Sequence, residues 1–280
     1  MSPIKSEIIS KVIKKRPNES YKGMYGNVLI IGGNQNMGGA AIMSGSAAVH
    51  SGAGLVTIAT DKTNIAAIHA ALPEAMFINY CEIKSLIEHL TDADVIVIGP
   101  GLGIDETAFN ILSNVLMNIK KHQILIIDGS AITLISKHKK LLNEILDLQI
   151  IFTPHQMEWQ RLSGIKIEEQ TEQKNQLAQE KLDATVIVKK FHTEIYFKNK
   201  ITRKLLVGGP YMSTGGMGDT LTGIIAGFLA QFKNEKFEDV IQAAVYTHSK
   251  IAEIISNDKY VVLPSDIISN IQSFMRQHES

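Results

Sequence analysis

Apolar residues along this chain follow two rhythms. Short runs rich in β-branched residues are continuous rather than alternating: NVLIIGG (27–33), LVTIAT (55–60), DVIVIGPGLG (94–103), QILIIDGS (123–130) and LQIIFTPH (148–155). Longer stretches with helical spacing separate them, of which AAIMSGSAAVHSG (40–52) is rich in small residues. Continuous apolar runs between helices predict parallel strands buried on both faces. The rhythm changes in TVIVKKFHTEIYFKNKITRKLLV (185–207), where three strand-like pieces leave no room for crossover helices. That segment predicts an antiparallel meander with a turn at KNK (198–200). Helices are then expected over 217–232, 237–256 and 265–276. A short amphipathic helix is expected near the start, with Ile8, Ile9, Val12 and Ile13 on one side. With no Ser/Gly/Pro-rich linker, low-complexity tract or short repeat, the pattern reads as a single α/β domain over 1–280.

Composition narrows the class. Of 280 residues, 45% are hydrophobic, so a sizeable core is available. Lys+Arg and Asp+Glu number 28 each, so formal charge cancels, which argues against a nucleic-acid binder. The single cysteine, Cys81, rules out an intramolecular disulfide and suits a reducing compartment. No signal-peptide pattern and no apolar run of membrane-spanning length is present, so the expectation is a soluble cytoplasmic protein.

Ligands of open α/β sheets bind beyond the carboxyl ends of the strands. Such positions here hold Gly32, Gly33, Asn34, Gly38 and Gly39; the Gly99–Gly103 loop; Asp128; and Thr153, His155 and Glu158. Taken singly, the glycines are tight turns, Asp128 is as readily a helix cap as a ligand contact, and His155 is a helix-start residue. Their shared edge of one sheet is what marks them as a site.

The segment YMSTGGMGDTLTGIIAGFL (211–229) carries the most specific chemistry. Leu221, Ile224, Ile225, Phe228 and Leu229 recur at helical spacing, so a helix starts at Met217 or Gly218 with glycines at its N-terminus. Unpaired N–H groups, a partial positive charge and no Cβ in the way make an anion hole suited to a phosphoryl group. Asp219, in the first turn, is either a helix-start acid or the acceptor of a proton from an attacking hydroxyl. No Gly-Lys-Ser/Thr follows, so this is not a Walker motif, and its place late in the chain excludes a dinucleotide fingerprint. Lys189 and Lys190, before a turn at Phe191–Thr193, are either a solvated hairpin pair or a contact for nucleotide phosphates or ribose.

These motifs resemble the ribokinase-like superfamily and, within it, the stand-alone NAD(P)H-hydrate dehydratases. The resemblance runs from Lys22 to Phe274 through KGMYGNVLIIGGN, GGAAIMSGSAAVHSGAGLVTIAT, VIGPGLG, IIDGSA, TPHQMEWQRL, VIVKKFHT and STGGMGDTLTGIIAGFLAQ, in that order. It implies a three-layer α/β/α sandwich with a mostly parallel sheet. It also implies a nucleotide-driven repair reaction, in which ADP or ATP phosphorylates the ring hydroxyl of the S epimer of hydrated NADH or NADPH. Phosphate then leaves and the coenzyme is restored, ADP giving AMP and phosphate with Mg2+ on the phosphates. By resemblance Asp219 is the catalytic aspartate facing the substrate hydroxyl. Gly215, Gly216 and Gly218 belong to the anion hole and nucleotide site, and Lys189, Lys190, Phe191, His192 and Thr193 form the AMP-contacting loop. Ala41, Gly103 and His155 contact the hydrated dinucleotide, Glu158 lies near the metal or phosphates, and Asn34 and Asp128 are further pocket members. Two positions depart from the family pattern: Lys190 replaces the usual glycine after Lys189, and Met217 stands where Ser or Thr is common. The resemblance further implies a homo-oligomer, a tetramer, and a separate epimerase, because no epimerase-like segment precedes the matching region. A small-molecule kinase on the same fold, retaining phosphate on a vitamin precursor or sugar alcohol, is the alternative. A nucleotide-binding regulator without catalysis is a third reading, which the intact GGMGD segment opposes.

Overall fold

The computed structural model describes residues 1–145 and 148–280. Ten strands form one sheet: β1 (Ser2–Pro3), β2 (Asn27–Ile31), β3 (Leu55–Thr60), β4 (Met76–Asn79), β5 (Val95–Ile98), β6 (Ile124–Ile127), β7 (Gln149–Phe152), β8 (Thr185–Val188), β9 (Glu194–Tyr196) and β10 (Thr202–Lys204). Their order across the sheet is β1-β10-β9-β8-β7-β6-β5-β2-β3-β4. Pairing is parallel from β4 through β8, and β8-β9-β10 is the antiparallel meander. Eleven α-helices occur among the described residues: α1 (Glu7–Val12), α2 (Gly38–His50), α3 (Ile65–Ala71), α4 (Ile83–Asp92), α5 (Glu106–Asn118), α6 (Gly129–Lys137), α7 (Gln156–Ser163), α8 (Glu172–Leu182), α9 (Met217–Gln231), α10 (Phe237–Ile255) and α11 (Pro264–His278).

The period of two along each strand sorts the core into two layers. Val28, Ile30, Val95, Val97, Ile126, Ile151 and Ile187 face one side, against α1, α2, α9, α10 and α11. Leu29, Ile31, Ile96, Ile98, Leu125, Ile127, Ile150 and Phe152 face the other, against α4, α5, α6 and α7. The result is an α/β/α sandwich. Burying an aliphatic side chain on either face contributes roughly 1.5–3 kcal/mol. That burial makes the sheet a rigid platform and leaves polar residues to its carboxyl edge.

Two small-residue contacts set where α9 lies. A Cβ on Gly223 would fall 2.1 Å from the Ser44 carbonyl oxygen, so only glycine admits α2 at this distance. Ser44 Oγ and Thr222 Oγ1 meet at 3.2 Å across the same buried crossing. The strand and late-helix predictions agree with these bounds. Two strands escaped the pattern. β4 is an edge strand of four residues with only Ile78 buried, too short to show a period. β1 has two exposed residues and is held by its parallel pairing with β10.

Candidate active site

Strands β6, β7 and β8 end at one edge, and the residues following them converge. The ladder continues past the strands through a bridge between His155 and Lys189, with the Lys189 N–H donating to the Pro154 carbonyl at 2.7 Å. α9 presents its N-terminus to the same edge. Gly216, at φ 90°, turns the chain through the left-handed region. A Cβ there would also meet Met43 Sδ at 2.4 Å. Having no side chain, Gly216 leaves the first-turn N–H groups of α9 uncapped. A cavity of about 780 Å3 opens over these donors, lined by Asp128, His155, Glu158, Lys189–Thr193 and Met217–Asp219.

Charge inside the cavity centres on Lys189. Its Nζ lies 2.6 Å from Asp128 Oδ1, which also accepts from Thr153 Oγ1 at 2.6 Å. The Asp128 side chain is only 4% exposed. Asp128 occupies the N-cap position of α6 yet makes no capping hydrogen bond, so of its two sequence readings the cap is not the one observed. Burial works to lower the Lys189 pKa, but the carboxylates of Asp128, Glu158 and Asp219 outweigh it and hold the ammonium above its usual value. Asp219 has the reverse balance. Burial, then the neighbouring Asp128 charge, push its carboxyl up to about 6, against the lowering effect of Lys189. A Cβ on Gly218 would sit 3.0 Å from Lys189 Nζ, so glycine there keeps the ammonium close to the helix start.

His155 and Glu158 form a reciprocal capping box at the start of α7. His155 Nδ1 accepts from the Met157 and Glu158 N–H groups, and Glu158 Oε2 accepts from the His155 N–H at 2.8 Å. The box fixes both side chains at the cavity wall. Glu158 is buried and has no Lys or Arg partner among the described residues.

The remaining predicted residues divide. Lys190 turns away from the cavity centre onto Glu194, 2.8 Å away. Glu194 accepts from the Tyr196 hydroxyl, which accepts from Asn175 Nδ2, and Asn175 Oδ1 accepts from Trp159 Nε1. Lys190 thus anchors its loop to α8 and α7. Phe191 stands 71% exposed at the cavity rim, its ring stacked on His192 at 3.9 Å. Gly215 and Gly216 precede α9, and Met217, its first residue, lines the cavity. Ala41, Gly103 and Asn34 lie beside this cavity rather than in its wall, where the turns after β2 and β5 meet. Asn34 N–H donates to the Gly101 carbonyl, Gly103 packs against Asn34 Nδ2, and Ala41 is buried beneath Gly33. β2 and β5 flank the point where the strand order reverses, the usual crevice for a second ligand.

Sequence reasoning missed the far wall, where Val245, His248 and Ser249 of α10 line the cavity. Nothing in AAVYTHSKIAE marks the histidine, which sits mid-helix with no turn signal beside it.

A family model described as NAD(P)H-hydrate dehydratase matches residues 28–273. An ADP-dependent (S)-NAD(P)H-hydrate dehydratase of Lactiplantibacillus plantarum is 49% identical over 99% of this chain and 98% of its own. A ribokinase-like superfamily protein of Enterococcus faecalis has a structure similar to this one, with TM-score 0.93 and 46% identity, covering 99% of this chain and 96% of its own. An ADP/ATP-dependent NAD(P)H-hydrate dehydratase of Bacillus subtilis, co-crystallized with ATP/Mg2+, superposes with TM-score 0.83 at 26% identity, covering 99% of both chains.

Proposed function

The chain belongs to the NAD(P)H-hydrate dehydratase family, and from that premise we propose how its cavity performs the reaction. The activity is ADP-dependent dehydration of the S form of hydrated NADH or NADPH, on a ribokinase-like fold. In the proposed mechanism the uncapped N–H groups at Gly215–Gly218 hold the migrating phosphoryl group. Lys189 offsets its charge, and the Lys189–Thr193 loop holds the nucleotide. Asp219 accepts the proton of the ring hydroxyl as its oxygen attacks the terminal phosphorus, and ADP leaves as AMP. The phosphorylated carbon then loses phosphate, its neighbouring carbon loses a proton, and the ring double bond reforms. His155 orients the hydrated ring, while Ala41 and Gly103, with Asn34 beside them, shape the adjoining crevice for the rest of the dinucleotide.

The observation that carries this reading is Asp219, held in the first turn of an uncapped helix with its carboxyl pushed up to about 6. A base that titrates near neutrality is ionised at working pH yet accepts a proton readily. Among the described residues no group of three or more His, Cys, Asp or Glu side chains converges to hold a metal alone. Mg2+ binds through one or two carboxylates plus substrate phosphates. Glu158, buried and without a Lys or Arg partner, fits that role. When bound, the ion would neutralise phosphate charge.

Incubation with S-form hydrated NADH and ADP is the test. Absorbance of the dihydronicotinamide should return with one AMP and one phosphate per coenzyme restored. A stable phosphoester without recovery would show a small-molecule kinase instead. The reading extends to a homo-oligomer, a tetramer, checked by sedimentation. It includes a separate epimerase that converts the R form, and cytoplasmic location. No helix among the described residues is long and apolar enough to cross a membrane.

A further inference from the structure

Behind the Lys189–Thr193 loop runs a continuous line of polar side chains, Lys190, Glu194, Tyr196, Asn175 and Trp159, drawn from the loop, β9, α8 and α7. Glu194, Tyr196, Asn175 and Trp159 are all buried. Only one hydrogen-bond register fits them. The Trp159 indole is a donor only, so it fixes Asn175 Oδ1 as its acceptor at 2.8 Å. The Asn175 amide nitrogen then faces the Tyr196 oxygen at 3.0 Å, and the Tyr196 hydroxyl must donate to Glu194 Oε2 at 2.8 Å. Glu194 Oε1 is left to Lys190 Nζ, also at 2.8 Å. A buried chain that is satisfied throughout specifies one arrangement. Because Trp159 directly follows Glu158, a lining residue of the cavity, this chain ties the loop to a second wall of the same site.

The loop so held is strained. His192 has φ 60°, in the left-handed region that side chains rarely adopt, and its ring stacks on Phe191 at 3.9 Å. Released from Glu194, a turn with such a conformation has easier shapes to relax into. The Lys190 ammonium is engaged by Glu194, whereas Lys189 meets Asp128 beside the start of α9. Glu194 stands behind the cavity wall rather than in it. We propose that Glu194 is a positioning residue for nucleotide binding, which through Lys190 holds the 190–193 turn in its ligand-ready shape before the nucleotide arrives. Lys190 acts through Glu194 and not on phosphate. Preorganisation of this kind raises affinity, because binding no longer has to select a minor conformer. The proposal rests on the reading that this cavity takes a nucleotide.

Calorimetry with AMP, competition by adenosine and kinetics with ADP test it. Glu194→Gln keeps an acceptor for the Tyr196 hydroxyl and loses only the ion pair. It should weaken AMP about tenfold, as when the ligand-ready shape falls to about a tenth of the population, and raise the KM for ADP in step while kcat changes little. Lys190→Met should weaken AMP to the same extent, and the double variant no further, because the two residues act as one unit. Lys190→Arg should restore most of the affinity. Adenosine should lose as much as AMP, since shape and not charge is removed. A lysine that reached for phosphate would give the opposite pattern. Glu194→Gln would then free it and tighten AMP, and Lys190→Met would weaken AMP but not adenosine; either result overturns the proposal. So would a Glu194→Gln protein that melts lower yet binds AMP as wild type does, which would make the network structural only. The double variant leaves no unpaired buried charge, and its AMP and adenosine affinities decide the matter if a single variant fails to fold. The binding comparison needs no turnover. A tenfold loss in Glu194→Gln, in a protein that restores no coenzyme, would strike the dehydratase reading and leave this one standing.

Discussion

Asp128 and Asp219 share one cavity and are opposite in state. Asp128, at the carboxyl end of β6, is almost fully buried and is met by Lys189 and Thr153, each at 2.6 Å. Asp219, at the amino end of α9, has no such partner, and its carboxyl is pushed up to about 6 by burial and by Asp128 itself. Both positions favour a negative charge on general grounds, one as a helix N-cap and one in a first turn. The local partners decide instead. A neutralised aspartate becomes scaffold that aims a lysine, and an unneutralised one becomes a base. The cluster has three carboxylates and one ammonium, so one acid can be kept reactive only by spending the lysine on another.

Removing the base should give the largest effect. Asp219→Asn should lower turnover by about 10²–10⁴-fold, the usual contribution of a positioned proton acceptor, while AMP affinity by calorimetry changes little. Turnover close to wild type would remove Asp219 from the chemistry. Removing the scaffold should act on stability first. Asp128→Asn strips Lys189 of its closest partner in a largely buried site, and unfolding by denaturant should show a loss of about 3–5 kcal/mol. The same variant should shift the acid limb of kcat/KM to lower pH, because the Asp128 charge is the second cause raising Asp219. If the limb stayed in place, the two aspartates would not be coupled.

A smaller effect has the opposite sign. The folded-state pKa of Asp219, about 6, lies above the ordinary 3.8, so the native state binds more protons than the unfolded chain between those values. The stability of the wild type therefore falls as pH rises through that window. An asparagine cannot ionise, so Asp219→Asn should be more stable than wild type above pH 6 and equal to it below about 4. The gap corresponds to about 3 kcal/mol. Thermal melts at pH 4 and pH 7.5 check it, and a variant no more stable at the higher pH would contradict the burial argument.

The two aspartates also differ in how far their roles could be read from the sequence. The start of α9 at Met217 follows from glycines before a helical apolar stripe, and the chemistry of Asp219 from its place in that first turn. The role of Asp128 depends on Lys189, sixty-one residues later in the chain, and no local pattern encodes that meeting. A lysine pair before a turn reads as a solvated hairpin. In the fold the two lysines part, Lys189 to Asp128 and Lys190 to Glu194. The parallel strands and the meander were legible because continuous β-branched runs, with and without intervening helices, have few other solutions. His248 was illegible because a helix interior gives one histidine no distinguishing neighbour, and only the convergence of α9, α10 and the meander puts it in a cavity wall.

The most direct measurement is an NMR titration of side-chain carboxyl carbons, with the Asp219 resonance identified by its absence in Asp219→Asn. A midpoint near pH 6 is the predicted result. A midpoint near 4, as for an ordinary exposed carboxylate, would contradict the claim that burial and Asp128 hold Asp219 ready to accept a proton.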